Sequence, residues 1–449
     1  MDRPGFTRSS RTFAALAMVA VLMAGCAPPS RPTYIHDEDG RIVIYHGVNV
    51  ASHAKSAPDH LSWHTREDLA RLRDWGFNHV RYLVFWEAIE PEDGVFDEVY
   101  MANTLERLRW LDELGIDVIV DLHQDLYGQR FGSHGFPDWA TDDGGREYVP
   151  KHPWNVNYFQ TSMWGTFDNF WRSDEIKARY VAMVEYLMGK IEGVPGVVGL
   201  DIMNEPWPSY GLLFERKFLS GFYEDIQAMR RRNGFTTPLF FEPIVTDTMV
   251  LPSTLVFKPD PGSVYYPHYY DPFGHEGLPY GPLGRVLLGA TVKQRVRDAH
   301  RFGTALMFGE FGIADTTSGS GAFLEDFIAL MNEYHLGWTY WSYDKGGPSS
   351  FCLVQEDGTP NPKLSHLVYV YPQRIAGRNP DIEYDDTTFT LRYDPIDTSA
   401  PTVVFVPPSL TNVRVTVNGA ATDYHATAPL IVHAHGADSS RQELSVQWQ

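Results

Sequence analysis

Cysteine is nearly absent: among 449 residues only Cys26 and Cys352 carry a thiol, so at most one intrachain disulfide can form. A chain of this length must then take its stability from a large apolar core. Positive charge is scarce too, with 37 Lys and Arg against 57 Asp and Glu and a formal net charge of −20. Such a surface repels nucleic-acid phosphates and anionic lipid headgroups, which argues against electrostatic binding to either. Low-complexity tracts and short repeats are missing. No HExxH or Cys/His cluster marks a metal site, no GxSxG marks an activated serine, and no GxGxxG marks a dinucleotide loop. No metal, cofactor or nucleic-acid partner is expected, and the chain is expected to act as a monomer.

The one long uncharged apolar run is at the start. Arg3, Arg8 and Arg11 precede "FAALAMVAVLM", a stretch too short to span a bilayer, as in an export signal. The twin arginines of the alternative export route are absent, because Ser9 and Ser10 separate Arg8 from Arg11. The run ends in "LMAGC", which resembles a bacterial lipobox with Cys26 as the lipidated residue; ordinary cleavage and release is the other reading. Acylation of Cys26 would leave Cys352 without a partner, and Cys352 reads as a small buried apolar side chain. Removal of residues 1–25, with three Arg and one Asp, takes the formal charge from −20 to near −22.

From about residue 40 a unit recurs: an apolar β-branched run, a polar tip, a loop, then a helical pattern. The runs are "RIVIYHGVNVAS", "FNHVRYLVFW", "IDVIVDLHQD", "VVGLDIMNEP", "PLFFEP", "SVYYPHYYDP", "ALMFGEFG" and "GWTYWSYD". Helical patterns fall between most of them, with none clear between the fifth and sixth. Eight such strands predict a (β/α)8 barrel over residues 27–366. After residue 367, period-two runs split by Pro, Gly, Asn and Asp predict a small antiparallel β-sandwich to residue 449. The long insert at 126–175, with Tyr158, Phe159, Trp164, Phe167, Phe170 and Trp171, is expected to wall the glycan side of the cleft.

In such a barrel the chemistry sits at the carboxyl ends of the strands. Those ends carry Asn49, Arg81, His123 with Asp125, Asn204 with Glu205, His268 with Tyr270, Glu310 and Trp341. A sheet built only for stability would not end so many strands this way. Glu205 and Glu310 stand across the ring from one another. Two carboxylates facing one cleft, one protonated and one ionised, are the minimal set for glycosidic-bond hydrolysis. Aromatics at 14 % of the chain suit stacking against pyranose faces as well as core packing.

"NEP" at 204–206 and "GEFG" at 309–312, with Arg81, His123, His268, Tyr270 and Trp341 in order, resemble glycoside hydrolase family 5. The resemblance implies Glu205 as acid/base and Glu310 as nucleophile. It also implies Arg81, His123, Asn204, His268, Tyr270 and Trp341 as residues that hold the substrate. Within that family, "LDIMNEPWP", "DLHQDLYG" and "SHAKSAP" most resemble endoglycoceramidases, which implies a glycosphingolipid substrate. Lys55, His123, Asp125 and Asn204 would then hold the sugar beside the cut. Apolar residues in "EPWPSYGLLFERKF" and "DPFGHEGLPYGPLGRVLLGA" fit a lipid at the cleft mouth. Three readings stay open beside it: a β-glucanase or mannanase, a relative restricted to galactosyl ceramides, and a non-catalytic sugar-binding surface lipoprotein.

Overall fold

A computed structural model describes residues 29–152, 154–208, 213–245, 250–275, 277–425, 427–435 and 440–449; Cys26 lies outside the described residues. Eight parallel strands close into a barrel: β3 (His46–Val50), β4 (His79–Val84), β5 (Asp117–Leu122), β6 (Val197–Asp201), β7 (Leu239–Phe241), β8 (Val264–Tyr265), β9 (Ala305–Phe311) and β10 (Gly337–Tyr340). Strand β10 pairs back onto β3 through Trp338 and His46. All eight fall inside the expected runs. Prolines shorten the later strands: Pro243 follows β7 and Pro267 follows β8 by two residues each, and neither can donate to a ladder.

The outer helices are α1 (Arg66–Asp74), α2 (Glu98–Glu113), α3 (Thr161–Arg172), α4 (Asp174–Ile191), α5 (Ser220–Asn233), α6 (Pro282–Phe302) and α7 (Ser320–Tyr334). Their ends follow local chemistry. Thr65 and Asp68 form a reciprocal capping box at the start of α1. Gly234 and Gly303, both left-handed, stop α5 and α6. Between β7 and β8 no helix is found among the described residues, as the sequence pattern implied. Among the described residues no helix is long and apolar enough to cross a membrane.

The second unit stacks two five-stranded antiparallel sheets around Tyr371, Phe389, Leu391, Phe405 and Leu444. One sheet takes β11 (Tyr371–Ile375), β14 (Thr402–Phe405) and β17 (Leu430–His433). The other takes β12 (Gly377–Tyr384), β13 (Thr388–Pro395), β15 (Arg414–Val417), β16 (Ala420–Thr422) and β18 (Gln442–Gln447).

The amino-terminal segment departs from expectation. "RIVIYHGVNVAS" reads as one strand but is two. β1 (Ile35–His36) and β2 (Ile42–Val43) belong to the sandwich, where Val43 pairs with Arg374, and only β3 joins the barrel. Asn78 sits at the break, donating to the carbonyl of Ile44 and accepting from the amide of His46. The chain enters beneath the barrel: Thr33 bridges Ala305, the first residue of β9, and Arg31 donates to the Glu333 carbonyl.

Candidate active site

Arg81, at mid-strand on β4, is fully buried and organises the mouth of the barrel. Its Nη1 donates to Glu310 Oε1 at 2.6 Å and to Asn49 Oδ1 at 3.1 Å. Nη2 donates to Asp201 Oδ2 at 2.7 Å and Asn204 Oδ1 at 2.8 Å. Asp121 and Glu242 complete the shell at 2.9 and 3.3 Å. One guanidinium thus faces four carboxylates in a water-poor site. Burial acts against its charge, but Asp121, Asp201 and Glu310 hold Arg81 well above its ordinary range.

Glu310, next to last in β9, has both oxygens occupied. Oε1 takes the Arg81 bond and Oε2 accepts from the Tyr270 hydroxyl at 2.7 Å. Burial pushes its carboxyl up, while His268 and Arg81 pull the other way. Glu205 follows β6 with φ of 43°, a left-handed conformation that non-glycine residues rarely adopt. Its amide donates to Glu242 Oε2 at 3.0 Å and its carbonyl accepts from Gln124 at 3.1 Å. These contacts hold the backbone in that state and turn the carboxylate toward His268 Nδ1, 3.0 Å away. His268 Nδ1 is also 3.7 Å from Glu310 Oε2, and an oxygen of Glu205 lies within 4.8 Å of one of Glu310. This approach fits the roughly 5–5.5 Å carboxyl spacing of retaining enzymes and falls short of the roughly 6.5–9.5 Å of inverting ones.

A second group forms the adjoining floor. Lys55, on the turn Ser52–Lys55, bonds Asp125 Oδ2 at 2.5 Å and lies 4.1 Å from the ring centre of Trp341. Trp341 stacks on His123, with ring centroids 5.6 Å apart. His123 Nδ1 is 2.7 Å from Asp121 and Nε2 is 3.3 Å from Asp125. Burial raises the Asp125 carboxyl, but Lys55 and His123 outweigh it and hold the group well below the usual range. Asn204 donates to the Gln124 carbonyl at 3.0 Å, which ties the two groups together. All ten expected site residues, from Lys55 to Trp341, therefore meet at one mouth.

Four residues escaped the sequence reading: Asp121, Asp201, Glu242 and Gln124. Glu242 had a signal, since "FEP" at 241–243 repeats the carboxylate-before-proline ending of "NEP". The ligand atoms of Asp201, Glu242 and His268 lie close enough to embrace a cation, as do those of Glu205, His268 and Glu310. In the first set the Arg81 guanidinium already supplies that charge.

The insert at 126–175 corrects an expectation. Phe167, Phe170 and Trp171 are buried, packing against Tyr127, Phe136 and Phe222 behind the cleft. Phe159 and Trp154 stay exposed, at 68 % and 47 %, beside Trp207 and Tyr158. The two apolar loops are likewise mixed: Trp207 and Phe214 turn inward, whereas Leu213 and Leu278 are exposed. Cys352 is half-buried rather than buried, its thiol pushed up by burial.

Residues 37–347 match the family described as cellulase (glycosyl hydrolase family 5), and residues 370–447 match the glycoside hydrolase family 5 C-terminal domain. Endoglycoceramidase I of Rhodococcus hoagii is 29 % identical over 405 residues, covering 83 % of this chain and 78 % of that protein. The solved endo-glycoceramidase II from Rhodococcus sp. in its ganglioside GM3 complex superposes with a TM-score of 0.85 at 30 % identity, over 93 % of this chain and 99 % of that one. The same enzyme has been solved as a lactosyl-enzyme intermediate, with a TM-score of 0.84, 30 % identity and the same coverage. An endogalactoceramidase at 21 % identity and a TM-score of 0.72, over 94 % of this chain and 100 % of that one, shares the fold.

Proposed function

This chain belongs to glycosyl hydrolase family 5, and we propose that it is a retaining endo-glycosidase that cuts the β-linkage between an intact oligosaccharide and the ceramide of a glycosphingolipid. The observation that carries the reading is the approach of the Glu205 and Glu310 carboxylates to within 4.8 Å, beside a floor of Lys55, Asp125 and Trp341. The likeness to an endo-glycoceramidase solved with ganglioside GM3 supports the choice of substrate.

In the first step Glu310 attacks the anomeric carbon of the sugar next to ceramide. Arg81 and Tyr270 hold one oxygen each and so aim the nucleophile. Glu205 gives its proton to the departing ceramide oxygen. In the second step Glu205 takes a proton from water, which attacks the glycosyl–Glu310 ester and releases the oligosaccharide with its configuration kept. Trp341 offers a face to the sugar ring, and Lys55, His123, Asp125 and Asn204 offer hydrogen-bonding groups to its hydroxyls. The exposed Trp154, Phe159, Leu213 and Leu278, on segments that follow the strand ends, suit an acyl-chain surface.

The deciding experiment incubates the protein with lactosylceramide or a ganglioside and separates the products. Free ceramide with intact oligosaccharide is the expected outcome; hydrolysis of carboxymethylcellulose or mannan with the glycolipid untouched would overturn it. We further propose that the protein is exported and acts as a monomer, either held at the cell surface as a lipoprotein or secreted. Labelled palmitate should enter the wild type and not Cys26→Ala.

A further inference from the structure

We infer that Glu242 is a positioning residue: it fixes both the backbone of Glu205 and the imidazole of His268, so that acid/base, imidazole and buried carboxylate form one ionic line. The inference rests on the reading of Glu205 as acid/base and adds a residue that the family resemblance did not supply.

Glu242 follows β7 directly and is buried. Each of its oxygens has a separate task. Oε2 accepts the Glu205 amide at 3.0 Å, where that residue takes its left-handed turn. Oε1 stands 3.1 Å from His268 Nε2 and 3.3 Å from Arg81 Nη2. The other imidazole nitrogen, Nδ1, points at Glu205 Oε1 from 3.0 Å. With Glu242 ionised, His268 keeps a proton on both nitrogens and presents Nδ1–H to Glu205. That donor occupies Oε1 and leaves Oε2 to exchange a proton with the leaving oxygen and then with water. No proton travels along the line, because His268 holds its own while the Glu205 carboxylate forms and is reprotonated.

The surroundings carry both signs. Asp121 on β5, Asp201 on β6 and Glu310 on β9 add negative charge; Arg81 on β4 adds positive charge; the neutral groups are His123, Tyr270 and Tyr223. Tyr223, on α5, donates to the Glu242 carbonyl at 2.8 Å and anchors its backbone. Burial disfavours the imidazolium, yet Glu242 and Glu310 hold His268 well above its ordinary range. Burial also pushes the Glu242 carboxyl up to about 8 against the pull of His268 and Arg81, so the pair holds one proton in common; we place it on the imidazole, where Nδ1 faces Glu205.

Two measurements test this without ceramide. In the native protein labelled with ¹⁵N-histidine, the imidazole signal lost in His268→Gln should stay doubly protonated above pH 7. In Glu242→Gln that signal should become neutral, and both limbs of the pH–rate profile on dinitrophenyl β-lactoside should move to higher pH. Glu205 and Glu310 would each have lost a neighbouring positive charge. With a poor leaving group, kcat/KM of the variant should fall by about 10²-fold, and with dinitrophenolate by far less, because only the former needs the acid. A neutral His268 at pH 7 in the native protein would overturn the inference. An unshifted profile with equal losses on both substrates would do the same. If Glu242→Gln does not fold, the native spectrum still decides. Failure to cut glycolipids would refute the proposed substrate and leave these readouts intact.

Discussion

Glu205 and Glu310 differ in what they touch, and their variants should differ accordingly. Replacement of Glu310 by Gly removes the attacking oxygen, so kcat should fall on the order of 10⁴-fold or more, and added azide should give an inverted glycosyl azide. Glu205→Ala should keep a rapid first step with dinitrophenyl glycosides, and azide should then give a retained product. Stopped-flow bursts and product stereochemistry decide between them. Glu87, on the short helix Trp86–Ile89 after β4, carries a separate prediction. Burial pushes it up to about 7 from 4.5, although the Gly135 amide pulls it down. The folded protein thus binds a proton that the unfolded chain releases, so stability is lost as pH rises from about 4.5 to about 7. Glu87→Gln should remove that loss and stabilise the protein at pH 8 by up to about 3 kcal/mol, with no gain below pH 4.5, as read by urea titration at several pH values. Nine of the ten expected site residues were legible because each ends or follows an apolar run, whereas Arg81, expected at a strand end, lies at mid-strand on β4. Asp121 and Asp201 were not legible, since a lone carboxylate within such a run has no meaning until Arg81 is seen to reach it.

At the scale of elements, the eight strands were legible because parallel strands covered on both faces are written as continuous apolar runs. The division of residues 41–52 between two sheets was hidden for the same reason: apolar residues suit either core. Close approach of β3 to β4 gives a test. A Cβ on Gly47 would collide with the backbone carbonyl and side chain of His79, which is buried and unable to retreat. Gly47→Ala should cost about 1–3 kcal/mol, visible as a lower urea midpoint with unchanged slope. The insert shows where pattern reading stops. Its aromatic residues signal burial or binding equally, and only packing assigns Phe167, Phe170 and Trp171 to the first and leaves Trp154 and Phe159 for the second.

At the scale of the whole molecule, barrel and sandwich share a packed interface. His46 stacks on Tyr371 at 3.6 Å and on Trp338 at 4.5 Å; the Tyr371 hydroxyl donates to the Gly76 carbonyl, and Arg374 reaches Asp117 at 2.5 Å. With β1 and β2 threaded into the sandwich before the barrel begins, the two units should unfold together. Near- and far-ultraviolet dichroism should report one urea transition, and Tyr371→Ala should lower both midpoints by the same amount, equivalent to about 3–5 kcal/mol. Two separated transitions would contradict this. The entry of the chain beneath the barrel also sets a direction. Ser30 is tied to His300 close to Thr33 and Ala305, and Glu310 stands five residues further along β9, roughly 16 Å up the strand. Four peptide steps from Cys26 to Ser30 reach at most about 14 Å. A fatty acyl group on Cys26 would hold the protein by its underside with the cleft opening outward, grazing on a foreign bilayer and not on the one in which it is rooted.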